Sequence, residues 1–456
     1  MKTIVQLDYQ AILANTAQPV HLAFQFIAPS TAGHRERPIA FSLVLDRSGS
    51  MAGPPLAAAL TAAKVVVQNL RTEDQFSLVT FDNSAEVVIP IGPVKNKTQI
   101  CNLIDRIVDG GSTNLTAGWM LGRDQLRGTP KDTVRRQLLL TDGLLNVGVI
   151  EPVHVKRVVC DGLERDGIRT STLGFGDEYD EDLLSTLATT TGGCFYDANQ
   201  ADKLPTIFSA ELDGLQKIAI QNLRIRFKAL DFVDAMASMG GYTEIALPDG
   251  RHEYAIGDLM SDEERVAVFA LSVLPIPLLA GSTTPAANLD GEALVEVEIL
   301  YDSIEAAGIV SHSERHLIRV RPTQAPEDIQ LNASVLPWVS SQQAAKMVTE
   351  ALKLRDQDDL IGARKLLSEG ITQLKAYSHD EQTKDGLNLL ESALRQLEDP
   401  AQYVRSRKAL SSMSVQYCKM SSTDEWVSEA MESPSFKKPR NRRPPTPRPT
   451  DQTTTS

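Results

Sequence analysis

Cysteine is scarce in this 456-residue sequence, and its four copies, Cys101, Cys160, Cys194 and Cys418, form no CxxC pair. Such spacing argues against a disulfide framework or a thiolate zinc site, and predicts reduced, mostly buried thiols in an intracellular compartment. The seven histidines are equally scattered. His312 and His316 have i, i+4 spacing, but SERHLIRVR alternates as a strand does, so they would not share a helical face and are not read as metal ligands. Long hydrophobic runs are missing too. The longest, Val266 to Gly281, is too short to span a bilayer and holds Pro275 and Pro277, which predicts a buried strand running into a turn. The opening MKTIVQLDYQ meets a polar residue every few positions and lacks a signal-peptide h-region. The expectation is a soluble, cytoplasmic protein without a membrane partner. Basic charge is in deficit. A net charge of −13 and a pI near 5.1 argue against a nucleic-acid-binding body. GxxxxGK[ST] and GxSxG are absent, and no nucleophile with an adjacent base is evident.

What the sequence does have is a sharp boundary at FSLVLDRSGSM, Phe41 to Met51. An uncharged apolar run of the kind found in buried parallel strands stops at Asp46, and Ser48 and Ser50 follow at alternate positions. Asp46 offers a carboxylate and the serines offer neutral hydroxyls, with Gly49 expected to let the turn bring all three to one point. Oxygen donors with few formal charges suit a hard divalent cation such as Mg2+.

This D-x-S-x-S pattern resembles the metal-ion-dependent adhesion site of the von Willebrand factor A family, which completes its site with a distant threonine and a second aspartate. Thr113 in GGSTNL and Asp142 in LLLTDG stand in those places. The resemblance implies direct ligation by Ser48, Ser50 and Thr113, with Asp46 and Asp142 acting in part through water. It also implies a vacant coordination position, which an Asp or Glu carboxylate of a partner protein would fill. Mn2+ and Ca2+ remain alternatives to Mg2+ on these donors.

Strand and helix patterns alternate over about 38 to 212, the signature of a doubly wound, mostly parallel α/β sheet. Strands are expected at Ile39–Leu45, Gln75–Phe81, Ala85–Ile89, Arg136–Leu140, Thr170–Phe175 and Gly193–Tyr196. Helices are expected at Pro55–Leu70, Lys97–Val108, Leu115–Arg127, Pro152–Asp166, Asp180–Thr190 and Ala201–Lys217. In a sheet of order 3-2-1-4-5-6 the first and fourth strands are neighbours whose connections leave in opposite directions, so Asp46 and Asp142 would meet in the crevice at their ends. The acidic cluster Asp177, Glu178, Asp180, Glu181 and Asp182 is read as capping and solvating a helix start, since it lacks calcium-loop spacing.

The period becomes two beyond Lys217, with strand-like segments from IQNLRIRFKAL to HLIRVRP. The expected organisation is N-terminal strands over 1–37, the α/β domain over 38–217 and an antiparallel β-sandwich over 218–324 that the N-terminal strands complete. A helical region over 340–412 follows, with Ser340 and Ser341 as N-cap candidates and Asp399-Pro400 as a stop. The tail, 421–456, is expected to stay disordered. Within it Lys437 to Pro449 carries six basic residues among prolines and no acid, enough for weak contact with an acidic surface or nucleic acid.

These features predict a non-enzymatic, metal-dependent protein-binding scaffold. An adaptor subunit for an AAA+ ATPase is the alternative, and a metal-dependent phosphohydrolase comes third.

Overall fold

The computed structural model describes residues 1–30, 37–130, 133–143, 168–176, 178–198, 200–242, 244–278, 291–305, 308–377, 384–397, 407, 408, 410, 411 and 414. The expected helix at Pro152–Asp166, Asp177, Cys160, Cys418, the Asp399-Pro400 stop and the basic tail lie outside them.

The chain opens with β1 (Lys2–Leu7), β2 (Ala11–Leu13) and β3 (Gln18–Ile27). An α/β unit follows: β4 (Ile39–Asp46), α1 (Pro54–Asn69), β5 (Gln75–Phe81), β6 (Ala85–Pro93), α2 (Lys97–Ile104), α3 (Leu115–Arg127), β7 (Val134–Thr141), β8 (Arg169–Phe175), α4 (Glu181–Thr191), β9 (Phe195–Ala198) and α5 (Leu204–Gln216). Its sheet runs β6-β5-β4-β7-β8-β9, parallel except for the β5–β6 pair. In this unit's own count the order is 3-2-1-4-5-6, as the sequence predicts.

Every residue of β4 is buried because helices cover both faces. Phe41, Leu43 and Leu45 share one core with residues of α1 and α5, such as Val66 and Phe208. Val44, one step out of phase, joins Trp119 of α3 and Leu184 of α4 on the other face. A strand sandwiched in this way reads as an unbroken apolar run, which is why its charged terminus stands out.

The remaining strands are β10 (Ile218–Ala229), β11 (Val233–Ser238), β12 (Glu244–Ala246), β13 (His252–Met260), β14 (Glu264–Val273), β15 (Glu292–Glu305) and β16 (Gly308–Thr323). They form two sheets with the N-terminal strands: β1-β3-β14-β11 and β12-β13-β10-β15-β16-β2. All pairs are antiparallel except β16 with β2. Phe24, Phe227, Tyr254 and Phe269 fill the space between the sheets, with ring centroids 4.7 to 5.8 Å apart from β10 to its neighbours.

The α/β unit leaves and rejoins this sandwich at one place. Asp262 N donates to Pro29 O at 3.4 Å, and Ser261 N donates to Lys217 O at 2.6 Å. Behind that junction, Arg169 Nε of β8 lies 2.8 Å from Asp258 Oδ1 of β13, and Arg136 of β7 reaches Glu211 and Asp258 at 3.4 and 3.6 Å.

The helical region holds α6 (Leu336–Asp356), α7 (Leu360–Tyr377) and α8 (Lys384–Leu397). Ser340 and Ser341 are not its N-caps. α6 begins at Leu336 with Pro337 in its first turn, so both serines are buried inside it, and Ser340 Oγ donates to Leu336 O at 2.7 Å. A proline pre-set for the first turn moves the start upstream.

The acidic cluster also departs from expectation. Asp180 caps α4 through Leu183 N, but Glu181 is buried, and Arg407 pairs with Glu181, Asp182 and Asp356. Cys101 and Cys194 are outside disulfides, as expected, but only half-buried.

Candidate metal centre

The site forms where β4 and β7 end side by side. Asp46 is the last residue of β4 and is fully buried. Its Oδ1 accepts from Ser48 N at 2.8 Å, which curls the chain into the short turn Gly49–Met51, and its Oδ2 accepts from Thr141 Oγ1 at 2.5 Å. Ser48 Oγ lies 3.1 Å from Ser50 Oγ. Ser50 Oγ donates to Asp142 Oδ1 at 2.7 Å, closing the link between two segments 92 residues apart.

Thr113 arrives on the loop before α3 and is buried. A Cβ placed on Gly143 would stand 3.6 Å from both Ser50 Oγ and Thr113 Oγ1, so the threonine hydroxyl shares the same small space. The structure thus brings Asp46, Ser48, Ser50, Thr113 and Asp142 to one cluster.

Backbone contacts fix the threonine loop against the serine turn. Gly110 N donates to Arg47 O at 2.6 Å and Gly49 N donates to Gly111 O at 2.9 Å. On its other side the loop rests on the turn after β5, where Ser112 N donates to Asn83 Oδ1 and Asn114 N to Asp82 O. Gly110 and Gly111 lie close to that turn: a Cβ on either would fall 2.2 Å from Asp82 Oδ2 or 2.4 Å from Asn83 Nδ2, and so would displace the Asp82 or Asn83 side chain. Gly49 carries no such requirement: a Cβ there would make ordinary contacts at 3.6 and 3.8 Å, and the aspartate-to-backbone bond bends the turn instead.

Sequence reasoning missed Thr141, Asp82 and Asn83. Thr141 is adjacent to Asp142 in the quoted LLLTDG, and the Asp82-Asn83 pair ends the strand beside β4.

Burial dominates the electrostatics. It pushes the Asp46 carboxyl up to about 6, against the hydrogen bonds from Thr141 and Ser48. Asp142 is raised as well, by burial first and by Glu178. Arg47, the basic residue next to Asp46 in sequence, turns toward Asp82 and Glu86.

The donor set fits a hard divalent cation. Six oxygens around Mg2+ at about 2.0–2.1 Å have neighbouring O···O separations of roughly 2.9 Å. The Ser48–Ser50 and Ser50–Asp142 separations of 3.1 and 2.7 Å lie close to that spacing. A cation here would also compensate two carboxylates that burial disfavours. Soft metals fit poorly, because the donors brought together here are carboxylate and hydroxyl oxygens. Among the described residues, no helix is long and apolar enough to cross a membrane.

A family model described as the von Willebrand factor type A domain matches residues 42–210. An uncharacterized protein of Synechocystis sp. is 28% identical over 315 residues, covering 66% of this chain and 71% of that protein. Inter-alpha-trypsin inhibitor heavy chain H2 of Mesocricetus auratus is 31% identical over 177 residues, which is 37% of this chain and only 18% of that one. Two solved structures share the fold along most of the chain at 16% identity. One is a von Willebrand factor type A protein from Catenulispora acidiphila, with a TM-score of 0.68 over 90% of this chain and 96% of that one. The other is the ArnB paralog VWA2 from Sulfolobus acidocaldarius, with a TM-score of 0.63 over 92% of this chain and 98% of that one. The serine turn, the threonine loop and the paired strand ends described above therefore belong to a chain whose residues 42–210 are a von Willebrand factor type A domain.

Proposed function

We propose that this chain is a protein-binding module in which Asp46, Ser48, Ser50, Thr113 and Asp142 hold Mg2+, and that the bound ion captures an Asp or Glu side chain of a partner protein. The observation that carries the reading is the meeting of oxygen donors from three remote segments, with Ser50 Oγ 3.1 Å from Ser48 Oγ and 2.7 Å from Asp142 Oδ1 and the Thr113 hydroxyl in the same small space. Domains of this family commonly bind a divalent metal, which supports the same reading. The ion would supply a Lewis-acidic centre with spare affinity for an external carboxylate, because much of its donor set is uncharged hydroxyl. The chain's own residues do the rest. Thr141 and the Ser48 backbone hold the Asp46 carboxylate in one orientation, and the Gly110–Gly111 stretch keeps Thr113 beside the serines.

Catalysis is not part of the reading, because the hydroxyls and carboxylates of the cluster are assigned here to holding the cation.

The test is capture of partners from lysate with Mg2+, with EDTA, and with Thr113→Ala, read by mass spectrometry. Proteins lost in both the chelated and the mutant sample, while circular dichroism stays unchanged, support the reading. Retention of the same proteins in all three removes it. Recovery of an AAA+ ATPase among the metal-dependent proteins would make the chain an adaptor for a remodelling machine. Mn2+ and Ca2+ substitution in the same assay identifies the working cation.

A further inference from the structure

β16 is long, and most of its outer edge has no strand beside it among the described residues. It pairs with β15 from Gly308 to Val320, but its other neighbour, β2, meets it only at Arg321–Thr323. The stretch before Arg321 therefore presents a row of backbone donors and acceptors outward, the arrangement that recruits another strand. Ile309, Val310 and Leu317 on this stretch are 40, 37 and 46% exposed, unusual for apolar residues of a well-packed sandwich.

We propose that this edge pairs with the same edge of a second copy of the chain, antiparallel, with the two-fold axis at Ser313. Room bounds the register and side-chain pairing selects it. β2 occupies the edge from Arg321 onward, so a register that brings Arg321 of the second copy alongside any residue of β16 would drive its β2 into the first copy. With Ser313 on the axis, Ile318 of the second copy falls opposite Gly308, so Arg321 of the second copy lies beyond the start of β16 and the two copies clear each other.

The selection comes from side-chain complementarity. This register sets Ile309 opposite Leu317 and His312 opposite Glu314, each pair occurring twice by symmetry, and places Ser311 opposite Arg315. Apolar and hydrogen-bonding cross-strand pairs of this kind stabilise a sheet. Shifting the axis to Glu314 puts two glutamates face to face, and shifting it to His312 opposes two histidines and leaves Ile309 against Arg315. The side chains are already ordered for the pairing. His312 stacks on Tyr301 at 4.7 Å and lies 2.7 Å from Ser303 Oγ, while Glu314 accepts from Tyr301 Oη at 2.9 Å. Glu298 holds Arg315 at 3.0 Å.

Cysteine cross-linking of the full chain reads the register directly. Residues opposite each other in an antiparallel pair have Cα atoms about 4.5–5.5 Å apart, inside the disulfide range of about 4.4–6.8 Å. Ser313→Cys is therefore expected to give a covalent dimer as its main product under mild oxidation. Ser311→Cys places the two thiols four residues out of step, about 13 Å apart along the strand, and is expected to give at least tenfold less. The unsubstituted chain, with its native cysteines, sets the background. In parallel, light scattering should show the mass of the chain doubling with concentration, and Leu317→Lys, at an exposed position that leaves circular dichroism unchanged, should raise the dimer dissociation constant at least tenfold. A monomer at every concentration overturns the proposal. So does cross-linking of the Ser311→Cys chain equal to that of the Ser313→Cys chain, or a dimer indifferent to Leu317→Lys.

Discussion

At the scale of single residues, the candidate site shows a division between groups that would touch a cation and groups that hold them. Thr141 is of the second kind. Its hydroxyl is the partner of Asp46 Oδ2. Thr141→Val keeps the shape and removes that bond, and residues that orient metal ligands typically contribute ten- to a hundred-fold in affinity. Isothermal titration with Mg2+ should show a loss in that range with the fold intact. Asp46→Asn separates charge from shape. Burial disfavours the Asp46 carboxylate, so the neutral amide should leave the metal-free protein at least as heat-stable as the parent. The stabilisation that Mg2+ gives the parent, about 2.7 kcal/mol at a hundredfold excess over the dissociation constant, should vanish in a thermal melt. The proposed ligands were legible in the sequence because three of them sit on one short turn and the other two close apolar or glycine-marked segments. Thr141 was not, because one hydroxyl at a strand end is indistinguishable from ordinary strand threonine until the neighbouring strand is known. Gly49 was over-read for a related reason: glycine beside serine suggests a backbone need, whereas the aspartate supplies the bend.

Among elements, β4 and the Leu138–Leu140 end of β7 were legible because they are buried on both faces and read as continuous apolar runs. The edge strands were harder. β2 has three residues and β11 alternates only weakly as VDAMAS, so each depends on its neighbours for definition. The junction between sheet and sandwich was invisible for another reason. It is built from Arg136, Arg169, Glu211 and Asp258, which come from four separate elements and carry no local pattern. Burial works against the charge of both arginines. At Arg136 Glu211 and Asp258 more than offset it, while at Arg169 burial prevails and lowers the guanidinium. Arg169→Ala would strip Asp258 of its closest cation in a buried setting, and breaking such a pair from one side typically costs about 3–5 kcal/mol. Urea denaturation should report a loss of that size, and Asp258→Asn in the same chain should recover part of it.

Over the whole molecule, the meeting of Pro29 and Lys217 at the Ser261–Asp262 turn makes the α/β unit an insertion joined to the sandwich through two adjacent connections. Replacing residues 31–216 with a short glycine-serine linker, together with Asp258→Asn to neutralise the exposed junction, is expected to leave a sandwich that unfolds cooperatively with β-type circular dichroism. An unfolded product would show that the sandwich depends on the inserted unit. The same geometry determines how the molecule bears load. β3 and β10 are interior strands of different sheets, and the insertion is tied to the C-terminal end of one and the N-terminal end of the other. A ligand tugging on the inserted unit would draw both strands lengthwise between neighbours on either side. Under a pull directed along those strands, their interstrand hydrogen bonds would be sheared together, not peeled one at a time.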